Sequence, residues 1–209
     1  MAKTASHGGD SRQRPTSGSS RRSQLLAIAA RLFAERGYAQ TTVRDIADEA
    51  GILSGSLYHH FDSKESMACE VLSELMDGLQ TRFAEVVERS SGPRDALDGL
   101  VRAAYDVIHN KQDAVATYQN ESAVFAALPA FEFVTEASLA IEAIWRAVLD
   151  EGRANGVFRP DIDPALAYLS IREAVWSTVR WYNPAGKYTH EALADQFLML
   201  LHAGLAVRE

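Results

Sequence analysis

Residues 42–67 read TVRDIADEAGILSGSLYHHFDSKESM, and this stretch decides the fold of the N-terminal third. Thr42 stands where a helix N-cap is expected, with Asp45 three residues on, a box of the Ser/Thr-x-x-acid kind. The helix it starts turns Val43, Ile46, Ala47 and Ala50 inward. Gly51 supplies the backbone freedom of a turn, and the small Ala47 permits a close helix crossing. A second helix is predicted from Ser54 to Phe61, with Leu57 and Phe61 in the core. Its outward face is then Ser54, Gly55, Ser56, Tyr58, His59 and His60. Such a face is poor core material and good material for base edges and phosphates. Asp62 and Glu65 predict a second capping box, with Lys64 in the first turn of the next helix. A lysine there opposes the helix dipole, and a DNA phosphate would give it a reason to be present.

The rest of the chain fits this reading. The net charge of −7 is unevenly spread: residues 1–67 carry nine Lys/Arg against seven Asp/Glu, whereas residues 68–209 carry twelve against twenty-one. A nucleic-acid contact therefore belongs to the N-terminal third. The lone Cys69 excludes a disulfide framework and points to a reducing, cytoplasmic compartment. Arg21-Arg22 before LLAIAARLFA could suggest an export signal, but Arg31, Glu35 and Arg36 interrupt it, and Leu25, Ala29, Leu32 and Phe33 recur at helical spacing. No apolar run reaches membrane-spanning length. His59 and His60 are adjacent, so they diverge by about 100° on a helix, and no ligand cluster completes a metal site. No cofactor is implied.

Residues 1–20 lack a large apolar side chain after Met1 and are predicted to be a disordered basic tail. Arg12, Arg14, Arg21 and Arg22 could extend it as a phosphate-binding arm. The head follows at 21–67, and a second domain at 68–209. Beyond the first helix, Ser23 to Arg36, and the motif region, helices are predicted at 64–89, 94–110, 114–127, 130–154, 165–182 and 190–207. The breaks are Ser90 to Pro93, Leu128-Pro129, Asn155 to Pro164 and Asn183 to Thr189. No strand-type alternation of any length appears, so the fold class is all-α.

Thr42, Ile46-Ala47, Ala50-Gly51-Ile52, Gly55, Leu57-Tyr58, His60-Phe61 and Lys64 closely resemble the DNA-binding motif of TetR-type transcriptional repressors. The resemblance extends over the chain and implies about nine helices, the last two forming a homodimer. It also implies a palindromic double-stranded operator and a small-molecule effector. Carried onto this sequence, Thr42, Tyr58 and Lys64 match phosphate-contacting positions. Arg44, Ser54, Gly55, Ser56 and His59 match positions facing the groove. One departure is Leu53, where the family usually has serine, so the start of the reading face could shift by a residue.

In the segment 165–182, Ile171, Ala174, Val175, Thr178 and Tyr182 form a packing stripe. Arg172, Trp176 and Arg180 form a second stripe at four-residue spacing. Two arginines flanking an indole suit an anionic or flat group, or equally an interface anchored by the tryptophan. The residues TTVRDIADEAGILSGSLYHHF, IREAVWSTVRWY and GVFRPDID resemble the actinobacterial TetR-type repressors of steroid ring catabolism. That resemblance implies a CoA thioester as effector, with Arg172, Trp176 and Arg180 at contacting positions. Tyr105, His109, Tyr118, Gln119, Phe125, Phe131 and Trp145 are further pocket candidates, each also readable as an ordinary core residue. Leu193, Phe197, Leu200, Leu201, Gly204 and Leu205 give the last helix a broad apolar face suited to a partner subunit. A CoA-binding enzyme would need a nucleophile–base pair or a phosphate loop, which the sequence lacks. An architectural DNA-binding protein would be basic throughout.

Overall fold

The computed structural model describes residues 17–205, and among these the chain is helical with no strand. Nine α-helices follow in order: α1 Ser17–Arg36, α2 Val43–Glu49, α3 Ser54–Leu57, α4 Lys64–Arg89, α5 Pro93–Asn110, α6 Gln112–Ala126, α7 Glu132–Ala154, α8 Pro164–Trp176 and α9 His190–Leu205. Helices α1 to α3 form a small head. Long α4 leaves it to enter the body, where it packs on α5 and α7, while α9 lies along α5 and α8 along α7.

The head folds for the reasons its sequence supplies. Thr42 Oγ1 accepts from Asp45 N at 3.1 Å, and Asp45 Oδ2 accepts from Thr42 N at 2.8 Å, closing the expected capping box. Gly51 adopts φ +66°, a conformation that disfavours any side chain. Leu25, Leu32, Phe33, Ile46, Leu57, Phe61 and Met67 bury together beneath the motif.

Three local expectations are corrected. The first helix starts at Ser17 rather than Ser23, so residues 17–20 are helical; residues 1–16 of the expected tail lie outside the described residues. Arg21 and Arg22 therefore belong to α1. Arg21 Nη2 donates to the Ala50 carbonyl at 2.9 Å, capping the end of α2. Arg22 lies 4.4 Å over the Phe61 ring and pairs with Glu70. Second, α3 stops at Leu57, not Phe61, and the chain tightens into bonds such as His60 N to Leu57 O at 2.9 Å. Both Leu57 and Phe61 still reach the core through that tighter turn. Third, the box opening α4 is Ser63 with Ser66, not Asp62 with Glu65, because the first helical residue is Lys64 and the cap falls one position before it.

In the body, α8 ends at Trp176 and a 3-10 turn, Ser177–Arg180, continues the segment expected to be one helix to Tyr182. Ser177 and Thr178 both turn their hydroxyls onto the Ala174 carbonyl, at 3.2 and 3.3 Å, competing with the regular ladder. The α7–α8 connection is fixed by Phe158, whose ring would lie 2.1 Å from a Cβ at position 152; glycine there admits it. Helix α8 then begins at Pro164 behind Asp163, which caps Ala165 N at 2.8 Å.

Candidate functional sites

The head presents one exposed surface. Thr42, Arg44, Gly55, Ser56, Tyr58 and His59 are exposed, and Ser54 and His60 are half-buried. Leu53 caps α3 without a side-chain bond and is 80% exposed, so the departure noted in the sequence leaves a bare leucine at the start of the reading helix. Arg44 projects outward, 3.6 Å from Asp48. The hydrogen bonds from Thr42, with Arg36 and Arg44 nearby, hold the Asp45 carboxyl below its ordinary range. Lys64 has a structural partner that the sequence did not disclose. Its Nζ donates to the Tyr38 carbonyl at 2.7 Å and lies 4.3 Å over the Tyr38 ring. Burial lowers its pKa, and Glu121 opposes that shift.

In the body, α4, α6, α7 and α8 enclose a cavity of about 390 Å³. Five sequence candidates meet on its wall: Arg172, Trp176 and Arg180 with Tyr118 and Gln119. The two arginines behave differently. Arg172 is half-buried, and its Nε and Nη2 donate to Glu173 Oε1 at 3.0 and 2.7 Å. Burial opposes its charge, yet the bond to Glu173 and the nearby Tyr168 raise its pKa overall. Arg180, on the 3-10 turn, is exposed. Tyr118 Oη lies 3.0 Å from Ser138 Oγ, whose own proton goes to the Val134 carbonyl at 2.7 Å. Tyr118 is therefore the donor of that pair.

Sequence reasoning missed the walls. Leu75, Met76 and Leu79 of α4, with Ile141 of α7, supply an apolar side; Thr135, Ser138 and Glu142 of α7 supply polar atoms.

The other five candidates are not on this wall. Phe125 and Phe131 pack on Tyr38, with centroids 5.3 and 6.1 Å away, and join head to body. Trp145 stands edge-on to Phe83 at 5.5 Å. Tyr105 is buried against Phe197. His109 Nδ1 is 2.8 Å from Tyr182 Oη, and its ring stacks on His190 at 4.4 Å. Each packs against a neighbouring ring, and residue type alone does not say which side of a packed helix faces a cavity.

A third surface is apolar. Leu166, Ile171 and Ala174 of α8 and Phe197, Leu200, Leu201 and Gly204 of α9 line an open groove, in which Leu200 is 74% exposed. No helix among the described residues is long and apolar enough to cross a membrane.

Two short helices around a glycine turn, carried on a helical body, have the layout of a helix-turn-helix regulator. The chain belongs to the TetR family: the profile of bacterial regulatory proteins of that family matches residues 25–71, and the tetracyclin repressor-like C-terminal domain matches residues 90–205. It is 47% identical over 192 residues to the HTH-type transcriptional repressor KstR2 of Rhodococcus jostii, covering 91% of this chain and 94% of that one. It is 44% identical over 191 residues to KstR2 of Mycolicibacterium smegmatis, covering 91% and 93%. The solved ketosteroid transcriptional regulator KstR2 of Mycobacterium tuberculosis superposes with a TM-score of 0.88 at 42% identity, over 90% of this chain and 96% of that one. The protein is thus a TetR-type transcriptional repressor by descent, and its relatives are regulators rather than enzymes.

Proposed function

We propose that this repressor leaves its operator when a CoA thioester of a steroid degradation intermediate binds the body cavity. Residues 21–67 are the reading head in this account, and residues 68–209 bind the effector and pair the subunits. The observation that carries it is the meeting of Arg172, Trp176 and Arg180 beside the apolar wall of Leu75, Met76 and Leu79. An apolar acyl group fits the wall, and the arginines suit the phosphates while the indole stacks on a flat ring. The similarity to a ketosteroid transcriptional regulator supports the steroid class.

In the head, Thr42, Tyr58 and Lys64 hold phosphates, Arg44, Ser54, Gly55, Ser56 and His59 meet the groove, and His60 belongs to the same DNA-facing surface. A two-fold dimer formed through the α8–α9 groove sets two such heads about 34–36 Å apart on a palindromic site. The effector favours a dimer with its heads differently spaced, so effector and operator weaken each other by the same factor, about 1–3 kcal/mol. The working protein is cytoplasmic and associates with the nucleoid when bound.

The test is direct. Purified protein is bound to a duplex it has selected from random DNA, and steroid-derived CoA thioesters are titrated against straight-chain acyl-CoAs and free acids. Release by the steroid esters at the lowest concentrations is expected. Release by an apolar ligand lacking CoA, with no response to any thioester, would replace the effector while leaving the repressor.

A further inference from the structure

Helix α6 carries two functional faces one residue apart. Val115, Tyr118, Gln119 and Ser122 line the cavity. Thr117, Glu121 and Phe125, at four-residue spacing, turn toward the head. Thr117 Oγ1 lies 3.2 Å from the Ala30 carbonyl of α1, its proton shared with the closer Asp113 carbonyl at 2.8 Å, and Phe125 packs on Tyr38. Successive helical residues differ by about 100° in direction, so one rigid helix touches both regions with no element between them.

The contact made by Glu121 is specific. Its Oε1 accepts from the backbone N–H of Tyr38 at 3.0 Å, across eighty-three positions of sequence. Gly37, at φ +89°, turns the chain out of α1, and a Cβ there would meet the same oxygen at 2.9 Å. Glycine suits the turn, and a side chain there would also push the carboxylate from its place. The Tyr38 carbonyl is held from the other side by Lys64 Nζ at 2.7 Å, at the first residue of α4 and directly after the reading segment. One residue is thereby gripped by a carboxylate of the body and an ammonium of the head, with its ring set among Phe33, Phe125 and Phe131. A charged acceptor makes this bond stronger than a neutral one, and hydrogen bonds weaken steeply with misalignment. A small displacement of α6 is therefore felt at Tyr38, and through Lys64 at the start of α4.

We infer that Glu121 is the positioning residue coupling the cavity to the DNA-reading face. The inference rests on the reading of head and cavity given above, and does not depend on which ligand fills the cavity. The experiment uses the full chain and its Glu121→Ala and Glu121→Gln variants, with the selected duplex as probe. Hydrogen exchange of α6 and α8 is measured with and without duplex, since linkage requires operator binding to be felt at the cavity. Duplex affinity of both variants should stay within about threefold of wild type, while the exchange response is lost in Glu121→Ala and largely kept in Glu121→Gln, which retains an acceptor. In the same samples, the ratio of duplex affinities without and with a steroid CoA thioester should fall at least about fivefold in Glu121→Ala only.

An unchanged exchange response in Glu121→Ala overturns the inference, as does a lowered melting temperature with the response intact, which marks an ordinary structural bond. If no thioester alters duplex binding but the exchange response still disappears in Glu121→Ala, the effector assignment fails and the coupling stands. If wild type enriches no duplex from the random pool, the DNA-reading account and this inference fall together.

Discussion

In the head, every side chain proposed to meet DNA lies between Thr42 and Lys64, and its direction is set by two caps, a glycine and a few apolar anchors nearby in sequence. In the body, the cavity draws on Leu75 of α4, Tyr118 of α6, Ser138 of α7 and Arg172 of α8, brought together only by packing. The first kind of site is a property of local conformation; the second is a property of how helices cross. A substitution should therefore perturb the two in different ways, and the join between them should be the most sensitive place of all.

That join gives the largest expected effect. Phe125 is buried between Tyr38 and Phe131, so Phe125→Ala should cost about 3–5 kcal/mol. Urea unfolding followed by circular dichroism measures this, and a destabilisation below about 1 kcal/mol would mean that head and body are joined elsewhere.

Next is the cavity. Arg180→Ala removes an exposed arginine without disturbing the core and should weaken the CoA thioester about 10–100-fold while leaving duplex affinity intact. Calorimetry with the purified thioester checks it. Loss of the dimer instead, seen by sedimentation, would move the arginine stripe to the interface. The matching change in the head is Arg44→Ala. It should weaken binding to the selected duplex by about 1–3 kcal/mol, relax the sequence preference at the bases it meets, and leave thioester binding alone.

Asp45 separates the regions by pH. Its hydrogen bonds from Thr42 lower its folded pKa, so the capping box stabilises the head above the ordinary carboxylate pKa of about 3.9 and is lost as pH falls through the lowered value. Asp45→Asn should remove that acid dependence from the helical signal of the head; an identical acid transition in the variant would assign it to other carboxylates. The smallest effect is a gain. Leu53→Ser supplies the missing cap of α3 and should stabilise the protein by about 0.5–1 kcal/mol. A fall in duplex affinity alongside that gain would show that the leucine serves the reading face.

The accuracy of the sequence reading follows the same division. The Thr42–Asp45 box, Gly51, and the buried Ile46, Leu57 and Phe61 were legible because each obeys a rule spanning a few residues. Small shifts arose where such rules compete: Ser63 displaced Asp62 as a cap, and hydroxyls at Ser177 and Thr178 ended α8 early. Arg172, Trp176 and Arg180 were visible as a stripe, and they share a wall even though the helix tightens after Trp176. Phe125, Phe131, Trp145, Tyr105 and His109, readable from sequence either as pocket or as core, lie off this wall, since an aromatic or polar residue in a helix looks the same whether it faces a cavity or a neighbouring ring.

By itself, the sequence determined an all-α chain with a helix-turn-helix head, because caps, turns and apolar periodicity act through near neighbours. Only the tertiary structure decided what Lys64, Glu121, Arg21 and Arg22 touch, and which faces of α4, α6, α7 and α8 enclose space. Those outcomes depend on side chains meeting across dozens of residues, where the geometry of helix crossing, rather than the identity of any one residue, selects the partner.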